Sequence, residues 1–146
     1  MAVAVEELEA LVGKPFPGGH YTIEPYRHWL MQDAVGAPAA REGTASPMEA
    51  YYGALAGMGM SVDELFRLVG ATADDGPMFG EAEIEVRRPL VIGETYRVSG
   101  AMTGVVRKEG RKAGVFDIVT FRLELVGGDG EVAAVSTNSF IFPRRD

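Results

Sequence analysis

Apolar and polar positions alternate along this chain with two different periods, and the change of period divides it. Up to about residue 70 the apolar residues recur every three or four positions, as in helices; from about residue 83 they recur every second position, as in strands. Val5 to Val12 is a short helical pattern closed by Gly13, with Pro15 just beyond. The stretch "PFPGGHY" reads as a turn. Tyr26, Trp29, Leu30 and Ala34 or Val35 then form one face of a helix that starts near Pro25 and ends at Gly36 and Pro38. "GAPAAREGTA", at 36–45, has no period and reads as a loop.

Ser46 opens the next helix with three agreeing signals: Ser at the cap, Pro47 at the first helical position, and Glu49 three residues after the cap to complete a capping box. From Pro47 to about Met60 the composition is unusual, because Gly53, Gly57 and Gly59 interrupt it and each costs roughly 0.5–1 kcal/mol relative to alanine. Close passage of another backbone, as when a sheet curls around the helix, would offset that cost. "SVDELFRLVG" repeats the capping box with Ser61 and Glu64, and Gly70 is its expected C-cap.

After "ATADDGPMFG" strands follow one another. Glu83 to Arg87 alternates cleanly, "RPLVIGE" makes a corner, and Tyr96–Val106 and Val115–Val126 are further strands. Asp117, Val119, Phe121, Leu123 and Leu125 share one side of the second of these. "GGDG" at 127–130 is a hairpin turn, and a last strand runs from Glu131 to about Phe142. Helices followed by strands predict an α+β fold with an antiparallel sheet, one face of it covered by the helix at 47–60.

The bulk composition narrows the function classes. At 146 residues we expect one domain, 1–146, that removes about two-thirds of its unfolded surface from water. A formal charge of −7 argues against nucleic acid and against purely electrostatic membrane binding. The absence of cysteine excludes disulfides and thiolate chemistry. Two histidines with scattered carboxylates make no metal site. The first twenty residues contain three Glu and no apolar h-region, so we expect no secretory signal, no membrane span and a cytoplasmic location.

Several of these segments, taken in order, resemble the MaoC-like hydratases and dehydratases, in particular the branch similar to the dehydratase domain of type I fatty acid synthase. "LVGKPFP" is similar to that family's opening and "YTIEPYRHWLMQDAVGAP" to its first helix and following loop. "ASPMEAYY" resembles the start of its central helix. "FGEAEIEVRRPLVIGETY" and residues 104–142 are similar to its strands. The resemblance implies a hotdog fold, a curved antiparallel sheet wrapped around a central Gly/Ala-rich helix. It also implies reversible hydration of a trans-2-enoyl thioester, carried on CoA or acyl carrier protein, to an (R)-3-hydroxyacyl thioester without a cofactor. Family members place the acid/base pair in an Asp-x-Asn-Pro-x-His segment after the first helix, where Asp and His hold a water and a helix N-terminus stabilises the thioester enolate. Here the matching stretch is "QDAVGAPAAREG". Pro38 matches the motif proline, but Ala37 stands for Asn, Arg41 or a neighbour stands for His, and Asp33 precedes Gly36.

The candidate catalytic residues are therefore Asp33, His28 and Glu49. His28 lies five residues before Asp33, a spacing that does not put both on one helical face. Thioesterase-type hotdogs carry a working carboxylate on the central helix, which makes Glu49 a candidate, although the capping box accounts for it equally well. Arg107, Lys108, Arg111 and Lys112 form a basic hairpin suited to phosphates or an acidic carrier protein, or to protecting a sheet edge. Glu81 and Arg88 flank a strand and are candidates for lining a substrate tunnel. Tyr51 and Tyr52, with Met48, Met58 and Met60, suit either an apolar acyl pocket or the core and a dimer interface.

Three readings follow. The chain is an active hydratase or dehydratase with displaced residues; or the non-catalytic, substrate-binding half of a two-component hydratase whose hotdog partner carries the Asp and His; or a homodimeric thioesterase-like or acyl-CoA-binding module. The missing dyad favours the second over the first. A homodimer or heterodimer is expected in every case, because one hotdog sheet leaves an open edge.

Overall fold

A computed structural model describes residues 3–38 and 41–145. The elements run α1 (Val5–Glu9), β1 (Gly19–Thr22), α2 (Pro25–Ala34), α3 (Glu49–Gly57), α4 (Val62–Leu68), a 3-10 turn at Ala73–Asp75, β2 (Met78–Val86), β3 (Thr95–Gly110), β4 (Gly114–Val126) and β5 (Val132–Pro143). The five strands form one antiparallel sheet in the order β1-β3-β4-β5-β2. α3 lies across it and touches all five strands. This is the α+β architecture that the change of period predicts.

The glycines of α3 sit where the sequence argument needs them. A Cβ on Gly53 would lie 2.5 Å from the Tyr21 ring, and one on Gly57 would collide with Val98 of β3. Conversely, a Cβ on Gly19 would meet the Gly57 carbonyl oxygen at 2.9 Å, so helix and strand backbones approach each other directly. Ala50, Ala54 and Met58 fill the same face, over Phe121, Leu123 and Leu125 of β4. Bulges after Phe79 in β2 and after Met102 in β3 help the sheet to curl. Phe140 of β5 joins the layers, stacked on Phe121 with centroids 6.0 Å apart and edge-on to Phe66 of α4.

The structure corrects the sequence reading in four places. The "PFPGGHY" turn runs into a fifth strand, β1, which lacks apolar alternation and forms because β3 offers it partners from Thr95 to Val98. The apolar face of α2 is exposed: Tyr26, Trp29 and Leu30 point to solvent, and the residue that α2 buries is His28. The central helix is shorter than 47–60. The Ser61–Glu64 capping box forms, with Ser61 Oγ accepting from Glu64 N at 3.1 Å, but the Ser46–Glu49 box does not.

The corner between β2 and β3 holds the approach to α3. Leu90 is buried and its carbonyl accepts from Ala45 N at 2.7 Å, while Gly43 O accepts from Ile92 N and Ile23 O from Gly93 N. The loop before α3 is thereby tied to the sheet at Gly43 and Ala45. Residues 39 and 40 of that loop lie outside the described residues.

Candidate functional site

The unformed capping box explains the local geometry at the start of α3. In such a box the Glu49 carboxylate would accept from the Ser46 N–H. Here His28 Nε2 takes that hydrogen bond at 2.8 Å, from the buried side of α2. An imidazole nitrogen that accepts carries no proton of its own, so His28 is held as the tautomer protonated at Nδ1. Glu49, displaced from its backbone role, instead accepts from the Tyr21 hydroxyl of β1 at 2.6 Å.

Glu49 is 2% exposed and begins α3, where the helix dipole favours a negative charge. Tyr21 reaches it from the neighbouring strand, across the space that Gly53 leaves open. Burial pushes the Tyr21 phenol well above its ordinary pKa, and the hydrogen bond to Glu49 and the charge of that carboxylate push it further. The pair is a half-buried phenol donating to a buried carboxylate. Such an arrangement can hold a proton, or orient a water that reaches the carboxylate.

Two hollows open beside it and share Met31 and Tyr52 in their walls. One, of about 150 Å³, is lined by Met31, Val35, Ser46, Met48, Glu49 and Tyr52. The other, about 360 Å³ and mostly apolar, is lined by Tyr21, Leu30, Met31, Tyr52 and Ala56, with Arg27 at its edge. Together they make a groove between α2 and α3, with Glu49 lining the first hollow and Tyr21 the second.

The sequence candidates divide around this groove. Glu49 and Tyr52 line it. Tyr51 faces away, edge-on to Tyr52 at 5.7 Å and to Phe79 at 6.2 Å. Asp33 is exposed near the end of α2, while His28 is buried beneath that helix and engaged by Ser46, so the two are not brought together. Glu81 is exposed on the edge strand β2. Arg88 is held by Asp129 in a bidentate pair, at 2.5 and 2.6 Å, and Asp129's carboxyl is held well below the usual range by that contact.

Arg107 is likewise engaged, for a reason that spacing could not reveal. Asp117 is fully buried and accepts from Arg107 Nε at 2.7 Å and from Arg144 Nε at 2.7 Å. Arg107 also donates to Val3 O, and Arg144 to Val69 O, so the triad ties both ends of the described chain to α4 and the sheet. Burial alone would raise the Asp117 carboxyl pKa, but its two guanidinium partners outweigh that and hold it below the ordinary value. Lys108, Arg111 and Lys112 remain exposed around the β3–β4 hairpin, and none lines the groove.

The start of α3 offers few free donors. The amides of Glu49, Ala50 and Tyr51 bond to the carbonyls of Ser46, Pro47 and Met48, and the Met48 amide to Ser46 Oγ at 3.2 Å. Sequence reasoning missed Tyr21, and no local signal marks it; its role depends on the pairing of β1 with β3. Among the described residues no cluster of His, Asp and Glu could hold a metal ion, and no helix is long and apolar enough to cross a membrane.

No protein-family model matches the chain, and no curated protein matches it. Solved structures do. The ChsH1-ChsH2 complex from Mycobacterium tuberculosis is similar over 97% of this chain and 90% of its own, at 17% identity and a TM-score of 0.68. The HadBC (3R-hydroxyacyl-ACP dehydratase) complex from the same organism is similar over 90% of this chain and 96% of its own, at 15% identity and a TM-score of 0.66. A MaoC-like dehydratase gives a TM-score of 0.70 at 18% identity, over 92% of this chain and 43% of that longer one. At these identities the likeness establishes architecture, and the chain adopts the hotdog fold of the MaoC-like dehydratases.

Proposed function

We propose that this chain is an acyl-thioester hydratase/dehydratase-like hotdog subunit that contributes a substrate groove, while a second hotdog chain bearing the Asp and His supplies the acid/base pair. The observation that carries this reading is the engagement of His28: the imidazole of α2 is buried and accepts from the Ser46 amide, with Asp33 exposed and apart. Two further features support it. The amides that open α3 are occupied internally, and the groove is lined mostly by Met, Leu and Tyr side chains that suit an acyl chain. Two of the similar structures are complexes of paired chains, one described as a (3R)-hydroxyacyl-ACP dehydratase, which fits a two-chain assembly.

The test is hydration of crotonyl-CoA and longer enoyl-CoAs by the purified chain, alone and with a hotdog chain that carries an intact Asp-x-Asn-Pro-x-His segment. The reading expects no turnover alone and turnover on mixing. Turnover by the chain alone, lost in both His28→Ala and Asp33→Asn, overturns it in favour of a self-sufficient enzyme. Hydrolysis of acyl-CoA lost in Glu49→Gln overturns it in favour of a thioesterase.

A further inference from the structure

β2 is the long open edge of the sheet: β5 pairs with one side of it, and nothing among the described residues pairs with the other. Its two faces differ in kind. The register with β5 is unbroken from Glu81 to Val86, so Ala82, Ile84 and Val86 share one face and Glu81, Glu83 and Glu85 share the other. Ile84 packs against the core, which identifies its face as the one toward α3. Phe79, ahead of the bulge, also turns that way onto Tyr51 and Phe140, yet remains 49% exposed. The strand thus offers unpaired backbone, an uncovered apolar face and, on its outer face, a ladder of three exposed carboxylates. Arg87 Nε meets Glu85 at 3.2 Å, the one cation paired with this ladder among the described residues.

The ladder decides which chain can use the edge. A second copy added here by a two-fold axis must run antiparallel, with the axis perpendicular to the sheet and both outer faces on the same side. Directly opposed residues in such a pair share a face. Every register centred between Glu81 and Glu85 therefore sets glutamate against glutamate; with Glu83 on the axis, Glu81 faces Glu85 of the copy. Like charges opposed across strands repel, whereas lysine or arginine at alternate positions of another strand would attract.

We propose that the β2 edge pairs with a different chain, one whose edge strand carries basic residues on the outer face, and rejects a second copy of this chain. This rests on the two-chain reading above and names what selects the partner. The probe is a charge-reversed copy, Glu81→Lys/Glu83→Lys/Glu85→Lys, mixed with the native chain. The neutral variant Glu81→Gln/Glu83→Gln/Glu85→Gln serves as a second arm, and circular dichroism checks that both variants fold. Sedimentation equilibrium at low salt should find the native chain monomeric and the neutral variant self-associating about tenfold more tightly or better. The mixture should give a one-to-one dimer that weakens at high salt. A native dimer no weaker than that of the neutral variant, or a mixture that forms no mixed dimer, overturns the proposal. Neither measurement involves enoyl-CoA, so failure of the hydratase reading and failure of this one are distinguishable.

Discussion

Tyr21 donates to Glu49 at 2.6 Å across the space left by Gly53, joining the first strand of the sheet to the first residue of the central helix. Tyr21→Phe leaves a buried carboxylate without this donor. We expect a loss of about 1–3 kcal/mol, read from urea denaturation. Glu49→Gln keeps the size of the side chain and should cost less. The double variant should show coupling between the two sites; strict additivity would mean that the hydrogen bond contributes nothing.

His28 is predicted to be a structural acceptor. His28→Ala removes the partner of the Ser46 amide and leaves a cavity beneath α2, so about 1–3 kcal/mol should be lost from the hydrogen bond alone. Hydrogen exchange gives the specific readout, because the Ser46 amide should lose protection in this variant. An unchanged exchange rate there would sink the assignment.

The close approach of α3 to the sheet predicts an inverted glycine effect. In an isolated helix Gly57→Ala would gain roughly 0.5–1 kcal/mol. Here the new methyl collides with the branched side chain of Val98, and overpacking of this kind costs about 1–3 kcal/mol, so the variant should unfold at lower temperature than the native chain. A raised melting temperature would show that the helix can move away from β3.

Asp117 sets an acid limit on stability. Its folded carboxyl lies below its ordinary pKa, so its contribution is complete above about pH 4, the unfolded value, and is lost as pH falls through the lower folded value. Asp117→Asn leaves Arg144 buried without its counter-charge and should cost about 3–5 kcal/mol at neutral pH. Thermal unfolding across pH should show the gap between native and variant closing below about pH 4. A gap that stays unchanged from pH 7 down to pH 2 would mean that the triad is held by packing alone.

Much of the fold was legible in the sequence because it rests on local periods. The period-two segments became β2 to β5, and the side of β4 that begins with Asp117 is buried throughout from Val119 to Leu125. The glycines of the central helix announced a close neighbour before the neighbour was known. What periodicity cannot carry is partnership between distant residues. β1 has no pattern of its own and exists because β3 pairs with it, and its Tyr21 completes the site through a contact twenty-eight positions away in sequence. Ser46 and Glu49 have the spacing of a capping box, yet His28 reaches the Ser46 amide first and frees the carboxylate for Tyr21. Arg107 and Arg88 look like free cations in the chain, and each is consumed by an aspartate that only folding brings near. Local patterning determined which segments are helix and strand, since backbone geometry and one-sided burial act over a few residues. The tertiary structure decided which polar groups remain available, since hydrogen-bond and charge partners are chosen by distance in space.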